Sequence, residues 1–375
     1  MAYVPDANDE LQPGVDKPVE SAAAEFRAIK KKVNQLAIGQ ISAGPGNSQF
    51  SHRNKIINGK MEISQRGTSF AAANNYNLDR WQFAAAGGGV VTITQSTDVP
   101  ASLEFQNSLN INVTTVDTAI AAGDVTVLKQ VVEGYNARDL IGRTFTISFW
   151  VRSAKVGVHC VSFRNSGVDR SYVLEYSVVA ANTWEKKTLK VAGGLITAGT
   201  WNWTNGVGFY FDFTLIAGTD FQTAAGAWQV GSKVSTVNQV NVMDTVGNIF
   251  AVTGVQIEAG DVATPFEHRD VGDELRRCQR YYEVMGKGAS GSLSMFGYVS
   301  AANLNVVSWN QFAVQKRAAP ALAVVGTFGA SNCGQPTPDS STVYGFRKYV
   351  TSAAAGMVIS ETDDVNDHIT ASAEL

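Results

Sequence analysis

Along most of the chain, apolar and polar residues alternate with a period of two. The runs at 90–95 (VVTITQ), 125–132 (VTVLKQVV) and 143–152 (RTFTISFWVR) each follow a glycine-bearing turn. In the last of these, Phe145, Ile147, Phe149 and Val151 fall on one side. Thr144, Thr146, Ser148 and Trp150 fall on the other, because successive strand residues point to opposite faces. The run 209–213 (FYFDF) repeats the pattern, with three Phe on one side and Tyr210 and Asp212 on the other. Many short strands punctuated by turns, with almost no helical period, predict a mainly β chain whose central part, residues 53–268, is a jelly-roll-like β-sandwich.

Two stretches break the pattern. Residues 1–15 carry Pro5, Pro13 and Gly14 among acidic and polar residues and are expected to be extended. A helix is expected to follow, with Asp16 as N-cap and Pro18 in the first turn, where its missing N–H does no harm. Ala22, Phe26, Ile29, Val33 and Leu36 then recur at spacings of 4, 3, 4 and 3, the seam of a two-heptad coiled coil. Glu25 and Lys30 fall at g and the following e. Two heptads are marginal alone, so this helix either packs on its own domain or pairs with copies of itself. Residues 1–38 are therefore assigned to an arm and helix, and the Gly/Ser/Pro-rich residues 39–52 to a linker.

The second helical stretch is residues 269–285. Asp270 can cap it, Asp273 and Glu274 complement its N-terminal dipole, and Leu275, Cys278 and Tyr282 are expected on one face. Beyond it, residues 286–375 return to strand-like runs (292–300, 303–314, 321–328, 344–350) and predict a small C-terminal β domain.

Four motifs stand in order: INGKMEISQRGTSF at 57–70, LDRW at 78–81, TGVQIEAGDVATPFEHR at 253–269 and ELRRCQRYYE at 274–283. The first and third are expected to be the opening and closing strands of one sandwich. Together, over about residues 54–283, they closely resemble the receptor-region sandwich of bacteriophage tail fibre and related virion fibre proteins. That resemblance implies a carbohydrate-binding-module-like sandwich, a homotrimer, and an N-terminal arm docked on a tail or capsid protein of the virion. It also implies attachment to a host surface polysaccharide or lipopolysaccharide. Asp79-Arg80-Trp81 belongs to this signature and is expected to be a structural ion pair against a core Trp.

Composition narrows the chemistry. A net charge of −3 offers no basic footprint for nucleic acid. Cys160, Cys278 and Cys333 are odd in number and far apart, so no disulfide framework or metal knuckle is indicated and a reducing cytoplasm fits best, which the fibre resemblance implies is that of the bacterial host. The acidic start lacks the apolar core of a signal peptide, and no apolar run nears the ~20 residues of a membrane span. His52, His159, His268 and His368 are scattered, so no metal or other cofactor is expected. P-loop, nucleophile-elbow and zincin motifs are missing, as are the repeated rungs of a long β-helix.

The candidate ligand residues are aromatic and polar. Sugars bind through aromatic rings that cover C–H faces and through Asp, Asn and Gln that fix hydroxyls. Trp201, Asn202 and Trp203 sit in a turn-rich stretch, Tyr210 and Asp212 on the next strand, and Trp228 further on. The competing role for each large aromatic is core packing. The leading expectation is a non-enzymatic, homotrimeric tail fibre that binds a cell-surface glycan. The alternatives are a head fibre or capsid decoration protein, and a polysaccharide-degrading tailspike.

Overall fold

The computed structural model describes residues 25–30, 52–71, 74–101, 104–288 and 291–375. It separates into two units, Met1–Ser51 and His52–Leu375. In the first, residues 25–30 form helix α1, on which Phe26 is 65% exposed and Ile29 43%. The seam positions Ala22, Val33 and Leu36, the arm and the 39–51 linker lie outside the described residues.

The second unit begins with the sandwich. Its strands are β1 (Ser69–Ala71), β2 (Asn75–Tyr76), β3 (Trp81–Ala86), β4 (Val90–Ser96), β5 (Ser108–Thr115) and β6 (Val125–Glu133). After a short helical turn, α2 (Gly134–Ala137), come β7 (Phe145–Ser153), β8 (Gly157–Asn165), β9 (Arg170–Val178) and β10 (Glu185–Val191). Strands β11 (Val207–Ala217), β12 (Trp228–Val230) and β13 (Ile249–Ala259) complete it. Among the described residues they form a six-stranded sheet, β1-β4-β5-β13-β7-β10, and a seven-stranded sheet, β12-β9-β8-β11-β6-β3-β2. All these pairings are antiparallel.

The period-two pattern explains why the two sheets stack. Phe145, Ile147, Phe149 and Val151 of β7 and Phe209, Phe211 and Phe213 of β11 are all fully buried. Their rings interlock between the layers: Phe149 meets Phe213 edge-on at 5.0 Å and Tyr176 at 5.1 Å, and Phe145 meets Phe163 at 5.0 Å. Such pairs contribute about 0.5–1.5 kcal/mol each beyond the area they remove from water.

The INGKM segment is not the opening strand that alternation suggested. Asn58 and Met61 take left-handed backbone angles (φ 57° and 61°), which no continuous strand allows. Side-chain amides supplement the two backbone bonds that join it to β13, Lys55 N to the Ile257 carbonyl (2.8 Å) and Val255 N to the Gly59 carbonyl (3.0 Å). Asn58 Nδ2 donates to the carbonyls of Ile63 and Asp79 at 2.8 and 3.0 Å, and Gln130 bonds both the N–H and the C=O of Ile57 at 2.8 Å. Asn54 Oδ1 accepts from Ile56 and Ile257, tying the segment to β13. Asp79 and Arg80 do not pair with each other. Asp79 accepts from Gln65, Arg80 reaches Glu374 and the Val131 carbonyl, and Trp81 is buried with its indole N–H on the Asn58 carbonyl.

Helix α3 (Val271–Gln279) is capped by Asp270, whose side chain accepts from Gly272 N at 2.8 Å. Because the helix ends at Gln279, Tyr281 rather than Tyr282 joins Cys278 in the buried cluster with Ile57 and Ile63. Tyr282 instead opens β14 (Tyr282–Met285).

The remaining strands are β15 (Met295–Val299), β16 (Asn305–Gln311), β17 (Ala321–Val325), β18 (Gly329–Ser331), β19 (Thr337–Asp339), β20 (Gly345–Thr351), β21 (Gly356–Glu361) and β22 (His368–Ser372). They make three small sheets, β14-β22-β17, β15-β21-β18 and β16-β20-β19. The segment leading into these sheets is held to the sandwich by charge. Buried Glu133 accepts from Arg280 at 2.7 and 3.0 Å and from Tyr281 Oη at 2.7 Å, and the Arg80 guanidinium lies 3.6 Å above the Tyr281 ring.

Candidate functional site

The sequence candidates divide between two places. The first is an aromatic row at the edge of the seven-stranded sheet. Trp228 on β12 lies opposite Tyr172 on β9, whose side chain faces the core, and the two rings meet edge-on at 5.5 Å. Trp201 contacts Trp228 at 5.8 Å, and Trp203 stacks on Trp201 at 4.8 Å with only 8° between planes.

The loop carrying this row is held from below. Asp169 accepts from the N–H and the hydroxyl of Thr200, and Asn165 Nδ2 donates to the Thr200 carbonyl at 2.8 Å. Asn165 Nδ2 also donates to the Asp169 carboxylate, and this bond first, then those from Thr200, keep the carboxyl below its ordinary pKa. Gly134 N and Tyr135 N donate to the Gly206 and Thr204 carbonyls. A side chain at Gly134 would sit 2.2 Å from the Asn202 carbonyl oxygen, so the loop can dock only on glycine.

Most of this row's binding capacity is already used. The Trp201 and Trp228 indole N–H groups donate to the Ala198 and Gly194 carbonyls at 2.9 and 3.0 Å. Asn202 Oδ1 accepts from Thr204 N and Oγ1 within its own turn. All three tryptophans are half-buried against the core. Trp203, at the end of the row, has Trp201 as its one aromatic partner among the described residues.

Tyr210 and Asp212 lie on the opposite, outer face of the same sheet, since the Phe residues between them point inward. Asp212 stands opposite Lys129 of β6 and Ser162 of β8, and Tyr210 opposite Arg164. Asp212 is fully buried and takes a two-pronged bond from Arg164 (2.7 and 3.0 Å) and one from Ser162 Oγ (3.0 Å). Burial disfavours the Arg164 charge, but the Asp212 carboxylate more than offsets this and raises its pKa.

Residues 232–236 cross this outer face. Thr214 Oγ1 donates to the Val234 carbonyl at 2.6 Å, Lys233 N to Ser171 Oγ at 3.2 Å and Arg164 to Ser232 Oγ at 3.1 Å. They leave uncovered an open cleft of about 220 Å³ lined by Ala84, Val125, Val127, Phe221 and Val234, with Lys129 and Arg164 as its charged members. Sequence reasoning missed Lys129 and Arg164. The alternation put Tyr210 and Asp212 on one side of β11, but only the β6–β11–β8 register reveals which cations flank them.

Among the described residues, no group of three or more His, Cys, Asp or Glu side chains could hold a metal ion, and no helix is long and apolar enough to cross a membrane. Burial raises the pKa of the Cys160 and Cys278 thiols, the reverse of what a nucleophile needs.

No protein-family model and no curated protein matches the chain. Solved structures with a likeness include the enzymatically active domain of bacteriophage CBA120 tailspike protein 4, at 19% identity and a TM-score of 0.30. That match covers 56% of this chain and 22% of the tailspike chain, so the protein spans about a fifth of its length. They also include the Clostridium thermocellum family 11 carbohydrate-binding module in complex with a mixed-linked β-1,3-1,4 tetrasaccharide (11% identity, 52% of this chain, 98% of that one, TM-score 0.29). A third is TmCBM61 in complex with β-1,4-galactotriose (10%, 56% and 99%, TM-score 0.27).

Proposed function

We propose that the protein is a carbohydrate-binding virion fibre, a non-enzymatic homotrimer that attaches a bacteriophage to a host cell-surface glycan. The observation that carries this is the cleft on the outer face of the seven-stranded sheet. Its small and branched apolar walls suit the C–H face of a sugar, and charged donors stand at one end. At about 220 Å³ it is smaller than the roughly 300–1,000 Å³ of drug-sized pockets, which suits one sugar unit of a longer chain. No carboxylate is among its lining residues, and Asp212 behind it is committed to Arg164 and Ser162. Glycoside hydrolysis needs two carboxyl groups across the scissile bond, so this lining supports an adhesin over a depolymerase. Three weak sites on one axis then act together by raising effective concentration. Residues 1–38 supply the docking arm, and the exposed Phe26 and Ile29 favour self-association of the helix.

The test is incubation of the purified protein with host surface polysaccharide, following bound protein and released reducing ends together. Binding without release supports the adhesin. Release of oligosaccharide makes the protein a tailspike-like depolymerase, and neither outcome from folded protein points to a structural head fibre. Phe26→Asp with Ile29→Asp is expected to reduce the native mass from trimer to monomer. An unchanged mass would move trimerisation to the β domains.

A further inference from the structure

The outer-face cleft holds more positive charge than its surroundings neutralise. Two cations, Lys129 and Arg164, face one carboxylate, Asp212, which leaves one net positive charge. The Arg164–Asp212 pair is closed on itself, with both carboxylate oxygens taken by Arg164 and Ser162. Lys129 stands directly opposite Asp212 in the ladder, yet among the described residues no hydrogen bond or ion pair reaches its Nζ. The Tyr210 ring lies beside it, with its centroid 5.5 Å from Nζ. The other polar group at the rim, Asn74, is also spent, because its amide bonds the Ala85 carbonyl and N–H at 3.0 and 2.6 Å. The walls are Ala84, Ala86, Val125, Val127, Phe221 and Val234. Beside such walls a charge pair is worth more than in open water. Burial lowers the Lys129 pKa, Asp212 opposes this, and Arg164 reinforces it. The half-buried ammonium thus stands beside an apolar lining where an incoming anion would pair with it.

We propose that this cleft selects a negatively charged sugar unit, its carboxylate or phosphate paired with Lys129 Nζ while the ring lies on the Val127 and Phe221 wall. This rests on the carbohydrate-binding function above and adds the class of sugar. Selection follows from the cost of leaving Lys129 unpaired against a neutral sugar, because specificity is a difference between two affinities. A Lys presents a point charge that pairs with either anion, whereas the Arg164 fork is already engaged.

The experiment uses the full-length chain on a panel of immobilised bacterial polysaccharides. The panel includes neutral, uronate- or sialate-bearing and phosphate-bearing members, with wild type, Lys129→Met and Lys129→Arg compared. Acidic members are expected to be retained and neutral ones not, with at least tenfold weaker retention for Lys129→Met and partial recovery for Lys129→Arg. Carbodiimide reduction of the carboxyl groups of each bound polymer separates the two anions, since it abolishes a uronate or sialate contact and leaves a phosphate contact intact. Binding confined to neutral members, or unchanged in Lys129→Met at an unchanged melting temperature, would overturn the acidic-sugar assignment while leaving glycan binding standing. Binding to no member would overturn both.

Discussion

The sandwich and the three small C-terminal sheets use the same short antiparallel strands but bury their aromatic residues to very different depths. In the sandwich, Phe145, Phe149, Phe163, Phe209, Phe211, Phe213 and Phe250 are all inaccessible, because two broad sheets offer two facing inner surfaces. In the C-terminal domain, Phe346 and Phe328 are buried, whereas Phe296, Tyr298, Trp309 and Tyr344 are 51–79% exposed. Three-stranded sheets have too little inner surface to cover every large ring. A deep core lets the sandwich carry a cleft with an uncompensated lysine on its outer face. The smaller domain leans on its neighbour through Glu133, Arg280 and the rings of Tyr281 and Tyr282.

The largest expected effect tests the depth of the sandwich core. Phe213 touches Trp81, Phe149, Phe211 and Phe250, so Phe213→Ala should cost about 3–5 kcal/mol by denaturant unfolding. Phe346→Ala, whose one ring partner is Phe312 at 5.7 Å among the described residues, should cost less. Equal losses would mean that the two cores are energetically alike.

Glu133→Ala comes next. It strands Arg280 and the Tyr281 hydroxyl at the junction and should cost about 3 kcal/mol. Hydrogen exchange should speed up in residues 282–375 while β7 and β11 stay protected. Uniform loss of protection would show that the two parts unfold as one.

A smaller effect depends on pH. Lys348 is buried with its Nζ donating, among the described residues, to the Leu293 carbonyl at 2.6 Å, and burial brings its pKa from 10.5 to about 8. Between pH 8 and 10 the unfolded chain binds a proton there that the folded chain does not, so stability rises with pH, by about 1–2 kcal/mol. Above pH 10 the phenols of half-buried Tyr76 and buried Tyr281, whose pKa values burial raises, act in the opposite sense. Unfolding at pH 7.5 and 9.8 should show this gain in wild type and not in Lys348→Met.

Trp203→Ala should have the smallest effect, about 1 kcal/mol, because its ring is half-buried and, among the described residues, stacked only on Trp201. Polysaccharide retention should stay within about twofold of wild type. A collapse of retention at unchanged fold would transfer the glycan site from the outer-face cleft to the tryptophan row.

Much of the architecture was legible because period-two alternation is a local property. The strands Val90–Ser96, Val125–Glu133 and Phe145–Ser153 stand where the pattern put them. The cap of α3 on Asp270 is equally local. What failed were features that depend on side-chain hydrogen bonds across long separations. The INGKM segment alternates like a strand but is folded into a loop by Asn54, Asn58 and Gln130. The helical period that pointed to Tyr282 stops one turn early, and Tyr281 takes the buried place.

The residues themselves determined a mainly β chain, the two faces of the 143–152 strand and the inward Phe face of the 209–213 strand, and a short list of aromatic and polar ligand candidates. Tertiary structure decided which of those candidates meet. It drew Trp201, Trp203 and Trp228 into one row against the core, and it sent Tyr210 and Asp212 to the other side of the sheet. It also placed Lys129, Asp212 and Arg164 side by side from three strands up to 83 residues apart. Alternation states only which face a side chain takes. Strand register states who stands beside it, and register is settled by the packing of the whole sandwich.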